Sequence, residues 1–205
     1  VECSRASWSK WAIVTNIGKN VMHSDKHAYH VMHKANYLQT CRDQAEQNGV
    51  KFIEQRSMNA DEPSLTFDSR PPRASRNAML QHFLGQEIEV DKPVFDPSTA
   101  ILMDFRVDQS KGMHFIYLLP YSPTQALVES TLFSTTVLQR GYYENTIKNY
   151  LADHYGASIM NIIHEEQGVI PMGTLSPHDE NIPGLGANAG AIRPASGYTF
   201  VFIHQ

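Results

Sequence analysis

The stretch TAILMDFRVDQSKGMHFIYLLPYSPTQALVESTLF, residues 99–133, decides the fold. It contains three apolar runs, TAILMDFRV (99–107), MHFIYLLP (113–120) and ALVESTLF (126–133). The short connectors DQSKG and YSPTQ join them. Runs of this length, split by short turn-forming segments, are the pattern of antiparallel hairpins. Side chains alternate along a strand. In the third run Leu127, Glu129, Thr131 and Phe133 therefore share one face, while Ala126, Val128, Ser130 and Leu132 share the other. Both faces read as largely covered. A carboxylate such as Glu129 must then be paired, hydrogen-bonded or held protonated for a task.

Outward from this block the period changes twice. On its N-terminal side AMLQHFLGQEIEV (78–90) reads as extended, preceded by a Pro-, Arg- and Ser-rich loop, DSRPPRASRN (68–77). Before that loop the chain reads as α/β: a strand WAIVTN (11–16), a helix over 35–47 carrying Leu38, Cys41 and Ala45, and a strand VKFIEQ (50–55). On the C-terminal side YENTIKNYLADHYG (143–156) is a helix with Ile147, Tyr150 and Leu151 on one face, closed by Gly156. NIIHEEQGVIPM (161–172) is extended, and PGLGANAGAIRPASGYTF (183–200) is punctuated by Gly184, Gly186, Gly190 and Gly197. The terminal GYTFVFIHQ reads as a helix still running, and the chain begins at Val1, so a fragment is expected.

Composition bounds the function. The 205 residues carry a formal net charge of −4 with 41% hydrophobic residues, so no basic excess points to nucleic acid. No apolar run reaches the roughly 18 residues of a spanning helix, and no signal-peptide pattern occurs. Two cysteines, Cys3 and Cys41, make no disulfide framework, which favours a reducing compartment.

Four groups can carry chemistry. The glycines of the tail allow a backbone to approach a ligand, and RPASGYTF resembles a loop opening a helix, with Pro194 or Ser196 near its start. A surface loop with several turns has the same signature. Asp104 and Arg106 point the same way on their strand, as a functional pair or a plain ion pair. Glu129 is either satisfied by a neighbour or a general acid in an apolar wall, its proton retained by burial. His23, His27, His30 and His33 have spacings that would suit a metal on one helix, but no Cys or HExxH supports them, and solvated histidines are the better reading.

Taken together, several blocks resemble the lycopene cyclase family of flavoproteins. They are NAMLQHFLGQEIEVDKPVFDPSTAILMDFRVDQ, FIYLLPYSPTQALVESTLFS, GVIPM and GANAGAIRPASGYTF, in matching order and spacing from about Phe67 to Gln205. HSDKHAYHVMHKANYL is similar too. The resemblance implies a two-domain fold of the α/β (α+β) class, with a Rossmann-type FAD domain and an antiparallel sheet walling the substrate. It divides the chain into a partial FAD-domain segment (1–67), a substrate domain (68–172) and a return to the FAD domain (173–205). It implies flavin contacts at Gly186, Ala189, Gly190, Pro194, Ser196, Gly197 and Tyr198.

The family's FLEET-type motif maps onto LVEST, which makes Glu129 the proton donor and puts Ser130 where relatives have a second acid. MDFR maps onto the family's MD strand, at Met103 and Asp104, which brings Asp104 and Arg106 into the catalytic set. Two departures stand out. No GxGxxG occurs in this chain, and QRSMNADEPSLTFDSRPP is short where relatives have an extra hairpin.

The activity implied is a bacterial-type, non-redox cyclisation of lycopene or a related carotenoid. Its cofactor would be FAD reduced by NAD(P)H, and its place the cytoplasm, peripheral at the membrane surface. A monooxygenase or prenyl-chain reductase of the same fold is the alternative enzyme, and a carotenoid- or lipid-binding remnant the non-enzymatic one.

Overall fold

A computed structural model describes residues 4–53, 65–75, 77–173, 175–177 and 179–193. In chain order the elements are strands β1 (Ser4–Trp8), β2 (Lys10–Thr15), β3 (Gly18–His23) and β4 (Tyr29–Met32), then helix α1 (Lys34–Gln47). Next come β5 (Arg73–Ala74), β6 (Met79–Val90), β7 (Thr99–Asp104), β8 (Met113–Pro120) and β9 (Gln125–Ser134). Helix α2 (Arg140–Tyr155), β10 (Ile159–Met172), β11 (Leu175–Ser176) and a short 3-10 turn (Gly186–Ala189) complete them.

One seven-stranded sheet, ordered β10-β6-β9-β8-β7-β2-β3, organises the fold. The β7–β8 and β8–β9 pairs are antiparallel, as the hairpin spacing of residues 99–133 requires, and β6 pairs antiparallel with β9 on its other side. Only β2 joins in parallel, against β7. The sheet thus runs across the boundary drawn at residue 67, since β2 and β3 lie in it with β6 to β10.

The two faces are covered differently. Ile88, Ile116, Val128 and Ile101 point to one face, where α2 buries Ile147, Tyr150 and Leu151 against them. Burial of side chains of this size is worth roughly 1.5–3 kcal/mol each. Helix α2 stops where Gly156 takes a left-handed φ of 57° and its N–H bonds Ala152 O. On the opposite face the β1–β4 pair lies over Ala100 and Leu119 through Trp8, Tyr29 and Val31. This second face is rich in rings, with Trp11, Tyr117 and Tyr121 also packed there.

Two expectations change. Residues 50–53 form no strand: Val50 N–H still bonds Ala45 O at the end of α1, and Arg42 lies 4.3 Å over the Phe52 ring. Residues 54–55 fall outside the described set. The strand expected over 99–107 ends at Asp104, because its own carboxylate accepts the Arg106 N–H at 3.1 Å and turns the chain. The four histidines are exposed, as the solvated reading expects, and share no helix: His23 ends β3, His30 lies in β4 and His33 is the N-cap of α1. Helix α1 fully buries none of its residues: Leu38 is exposed, and Cys41 and Ala45 are only half-buried.

Candidate functional site

Alternation along β9 sends Glu129 and Ser130 to opposite faces of the sheet, and this divides the chemistry. Glu129 stands on the second face. Its strand neighbours are Tyr117 on β8 and Gly85 on β6. Thr131 Oγ1 donates to Glu129 Oε1 at 2.5 Å. Gly85 leaves the space that Glu129 fills: a Cβ there would stand 3.3 Å from Glu129 Oε2. Beside it, Tyr117 shares a 2.5 Å hydrogen bond with Tyr29 from the covering strand β4. Burial, joined by the charge of Glu166, pushes the Glu129 carboxyl up to about 7, and the Thr131 hydrogen bond only partly opposes this. The group can therefore hold a proton near neutral pH within an aromatic wall.

A stability consequence follows from the sign of that shift. A carboxyl that titrates at about 4.5 unfolded and about 7 folded binds more protons in the folded state between those values. The stabilisation is complete below the lower value and lost as pH rises through the upper one. Wild-type Tm should fall between pH 5 and pH 8. Glu129→Gln should flatten that fall and be about 1–2 kcal/mol more stable than wild type at pH 8, measured by thermal melts followed by circular dichroism.

Asp104 and Arg106 occupy the first face, beneath α2. Asp104 is fully buried. Arg106 Nε and Nη2 donate to its two oxygens at 2.9 and 2.6 Å, and Tyr150 Oη donates to Oδ2 at 2.7 Å. Burial alone would raise the Asp104 carboxyl, but the Arg106 and Tyr150 hydrogen bonds outweigh it and hold the group below the usual range. The sheet therefore separates Glu129 from Asp104 and Arg106.

Ser130 also faces α2. It is fully buried and hydrogen-bonded to His114 Nε2 at 2.8 Å. A carboxylate at that position would meet His114 rather than Glu129. The same face holds a second buried histidine, His82, between Tyr143 Oη at 2.7 Å and Ser134 Oγ at 2.9 Å. Burial lowers the pKa of both histidines, which suits neutral, structural hydrogen-bonding rings.

Sequence reasoning missed the partner of Glu129 across Gly85. Glu166 on β10 pairs with Gly85, and the same built Cβ would lie 3.5 Å from Glu166 Cγ. The available signal was a lone glycine inside a strand pattern, which often marks a close approach.

In the tail, Gly186 and Ala189 bound the 3-10 turn, and Gly190 follows it at a left-handed φ of 79°. Nothing lies within 4 Å of a Cβ built at Gly186 or Gly190. Between them Asn188 donates from Nδ2 to Asp68 O at 3.0 Å, while its Oδ1 is buried with no partner among the described residues. An open glycine edge beside an unpaired buried acceptor fits the polar edge of a flat cofactor. Pro194, Ser196, Gly197 and Tyr198 lie outside the described residues.

A family model described as lycopene cyclase protein matches residues 1–204. The chain is 34% identical over 127 residues to a lycopene beta-cyclase of Pantoea ananas, covering 58% of this chain and 32% of that protein. A lycopene beta-cyclase of Paracoccus sp. (strain N81106 / MBIC 01143) is 31% identical over 160 residues, covering 70% and 39%. The chain thus spans about a third of the length of the curated relatives it matches. Among solved structures, a geranylgeranyl bacteriochlorophyll reductase-like protein from Thermoplasma acidophilum matches with a TM-score of 0.66 at 13% identity, over 95% of this chain and 58% of that one. The flavin-dependent brominase Bmp2 matches with a TM-score of 0.51 at 10% identity, over 91% and 56%. These likenesses establish the fold.

Proposed function

The chain belongs to the lycopene cyclase family, and from that premise we propose that the protein closes the ends of lycopene into β-rings, with Glu129 as the acid. The observation that carries the reading is the site itself: a carboxyl with a raised pKa on a sheet face lined by Tyr117, Tyr29 and Trp8. A polyene requires an apolar wall, and ring closure requires a carboxyl within it that still holds its proton near neutral pH. Glu129 gives its proton to the terminal double bond, which leaves a tertiary carbocation. The neighbouring double bond attacks that centre and forms the ring carbon–carbon bond. Loss of a different proton restores neutrality and gives the β-ring. The tyrosine rings present electron-rich faces to a cation, and the overlying β1 and β4 strands help keep water from quenching it.

FAD is part of the proposal. Gly186, Ala189 and Gly190 would hold one edge of it, with Asn188 Oδ1 accepting a hydrogen bond. When bound and reduced by NAD(P)H, the flavin supplies a fixed negative charge that favours the cation. The substrate is membrane-dissolved, so a cytoplasmic protein working at the membrane surface is the matching location.

The test uses mass and isotope. With reduced FAD under anaerobic conditions, lycopene should be converted over many turnovers without NAD(P)H consumption. The product should have the mass of the substrate in water and carry deuterium when formed in D₂O. Oxygen or hydrogen added to the product, with NAD(P)H oxidised in step, would replace this reading with a monooxygenase or a reductase. Gly190→Val puts a β-branched side chain at a left-handed φ on the open edge, and should lower the flavin absorbance of the purified protein several-fold.

A further inference from the structure

We propose that Glu166 is the proton-relay partner of Glu129, a positioning residue that keeps the donor protonated and refills it after each turnover. This rests on Glu129 being the donor. The two carboxylates come from different strands, β9 and β10, with β6 between them. Strand β6 would normally separate them by a side chain. At the crossing point it has Gly85 instead, and the place of the missing Cβ is bounded by Glu129 Oε2 at 3.3 Å, Glu166 Cγ at 3.5 Å and Leu127 Cδ1 at 3.5 Å. Both acids therefore lean over one glycine. Glu129 is half-buried, whereas Glu166 is exposed to solvent. The space above Gly85 thus joins the donor to a side chain that meets water, with no side chain of β6 between them.

Among the described residues, several other charged and titratable groups on this face have interactions of their own, while Glu89 lies further along β6 and His33 acts on Glu87. On β6, Glu87 is held by both terminal nitrogens of Arg5. Arg5 in turn lies 4.3 Å over the Tyr121 ring. Tyr117 on β8 is hydrogen-bonded to Tyr29 of β4, and burial raises its pKa. His164 of β10 lies near enough to Glu87 to help lower its carboxyl pKa. Glu166 is the group whose charge acts on Glu129. Two neighbouring carboxylates resist losing both protons. The charge of Glu166 adds to burial in helping Glu129 keep its proton. Once Glu129 has protonated substrate, a proton from solvent passes by way of the Glu166 carboxyl to the Glu129 carboxylate, while the proton lost from the ring carbon goes to solvent. Protons balance, and no redox partner is required.

The experiment reads the protonated-carboxyl infrared band of Glu129 in this 205-residue chain, assigned by its loss in Glu129→Gln, as a function of pH. Glu166→Gln should lower the midpoint of that band by at least about 0.5 pH unit, and Glu166→Asp, which keeps the charge, should restore most of it. In the flavin-loaded protein Glu166→Gln should lower kcat about tenfold with KM little changed, and move the alkaline limb of the pH profile to lower pH. An unchanged Glu129 midpoint in Glu166→Gln, or a Glu166→Asp variant no closer to wild type than the Gln variant, overturns the relay. The donor reading fails separately, through an active Glu129→Gln.

Discussion

Glu129→Gln should abolish ring closure while leaving the fold intact. The substitution keeps the shape of the side chain and one acceptor for the Thr131 hydroxyl, which reaches Glu129 Oε1 at 2.5 Å. It removes the only proton this position can give. General acid catalysis by a positioned group is worth roughly 10²–10⁴ in rate. No amide can protonate an alkene, so the loss should stand at the upper end or beyond it. In a lycopene-accumulating host the variant should leave lycopene unconverted, with soluble protein and flavin content like the wild type. Near-normal β-ring product from Glu129→Gln would remove the carboxyl from the reaction. The pH-dependent melts described above then have to be explained by burial alone.

The antiparallel core was legible because its signals are local. Apolar runs alternate, connectors are short, and β7, β8 and β9 fall close to where hairpin spacing puts them. Helix α2 was legible for the same reason, through Ile147, Tyr150 and Leu151 at helical spacing and Gly156 at the stop. Strands β1, β3 and β4 were not. Gly18–His23 is mostly exposed, with little alternation to read, and Ser4–Trp8 is recognisable as a strand only through its pairing with Tyr29–Met32. The parallel β2–β7 pairing joins residues far apart in sequence, and no local pattern encodes it.

The site divides along the same line. Glu129 stood out as one residue in a strand. Its relation to Glu166 depends on the β10–β6–β9 register and on a side chain that Gly85 lacks. Likewise, period-two alternation placed Asp104 and Arg106 on one face of their own strand. It could not say that this face is opposite to the one carrying Glu129, because that relation is fixed only when β7 pairs through β8 to β9.

Asp104 should prove the most costly charged residue to remove from the fold. It is fully buried, held by two Arg106 nitrogens, the Arg106 N–H and the Tyr150 hydroxyl. An Ala at this position leaves the Arg106 guanidinium without its counter-charge and removes the carboxylate that accepts from Tyr150 Oη. Breaking a buried pair in this way costs about 3–5 kcal/mol, a large part of the stability of a domain this size. Tyr150→Phe removes one of these bonds and should cost about 1–2 kcal/mol. The pH dependence has the opposite sign to that of Glu129. A carboxyl with a depressed folded pKa contributes its stability above the ordinary carboxylate range and loses it as pH falls through the folded value. The Asp104→Asn variant should therefore lose most against wild type at neutral pH, and the gap should narrow on acidification. Because Asp104, Arg106 and Tyr150 meet beneath α2, a stable Tyr150→Phe protein should still cyclise lycopene at close to the wild-type rate. A well-folded Asp104→Asn protein with unchanged Tm and no turnover would contradict this division and place the pair in the reaction, on a face that Glu129 does not share.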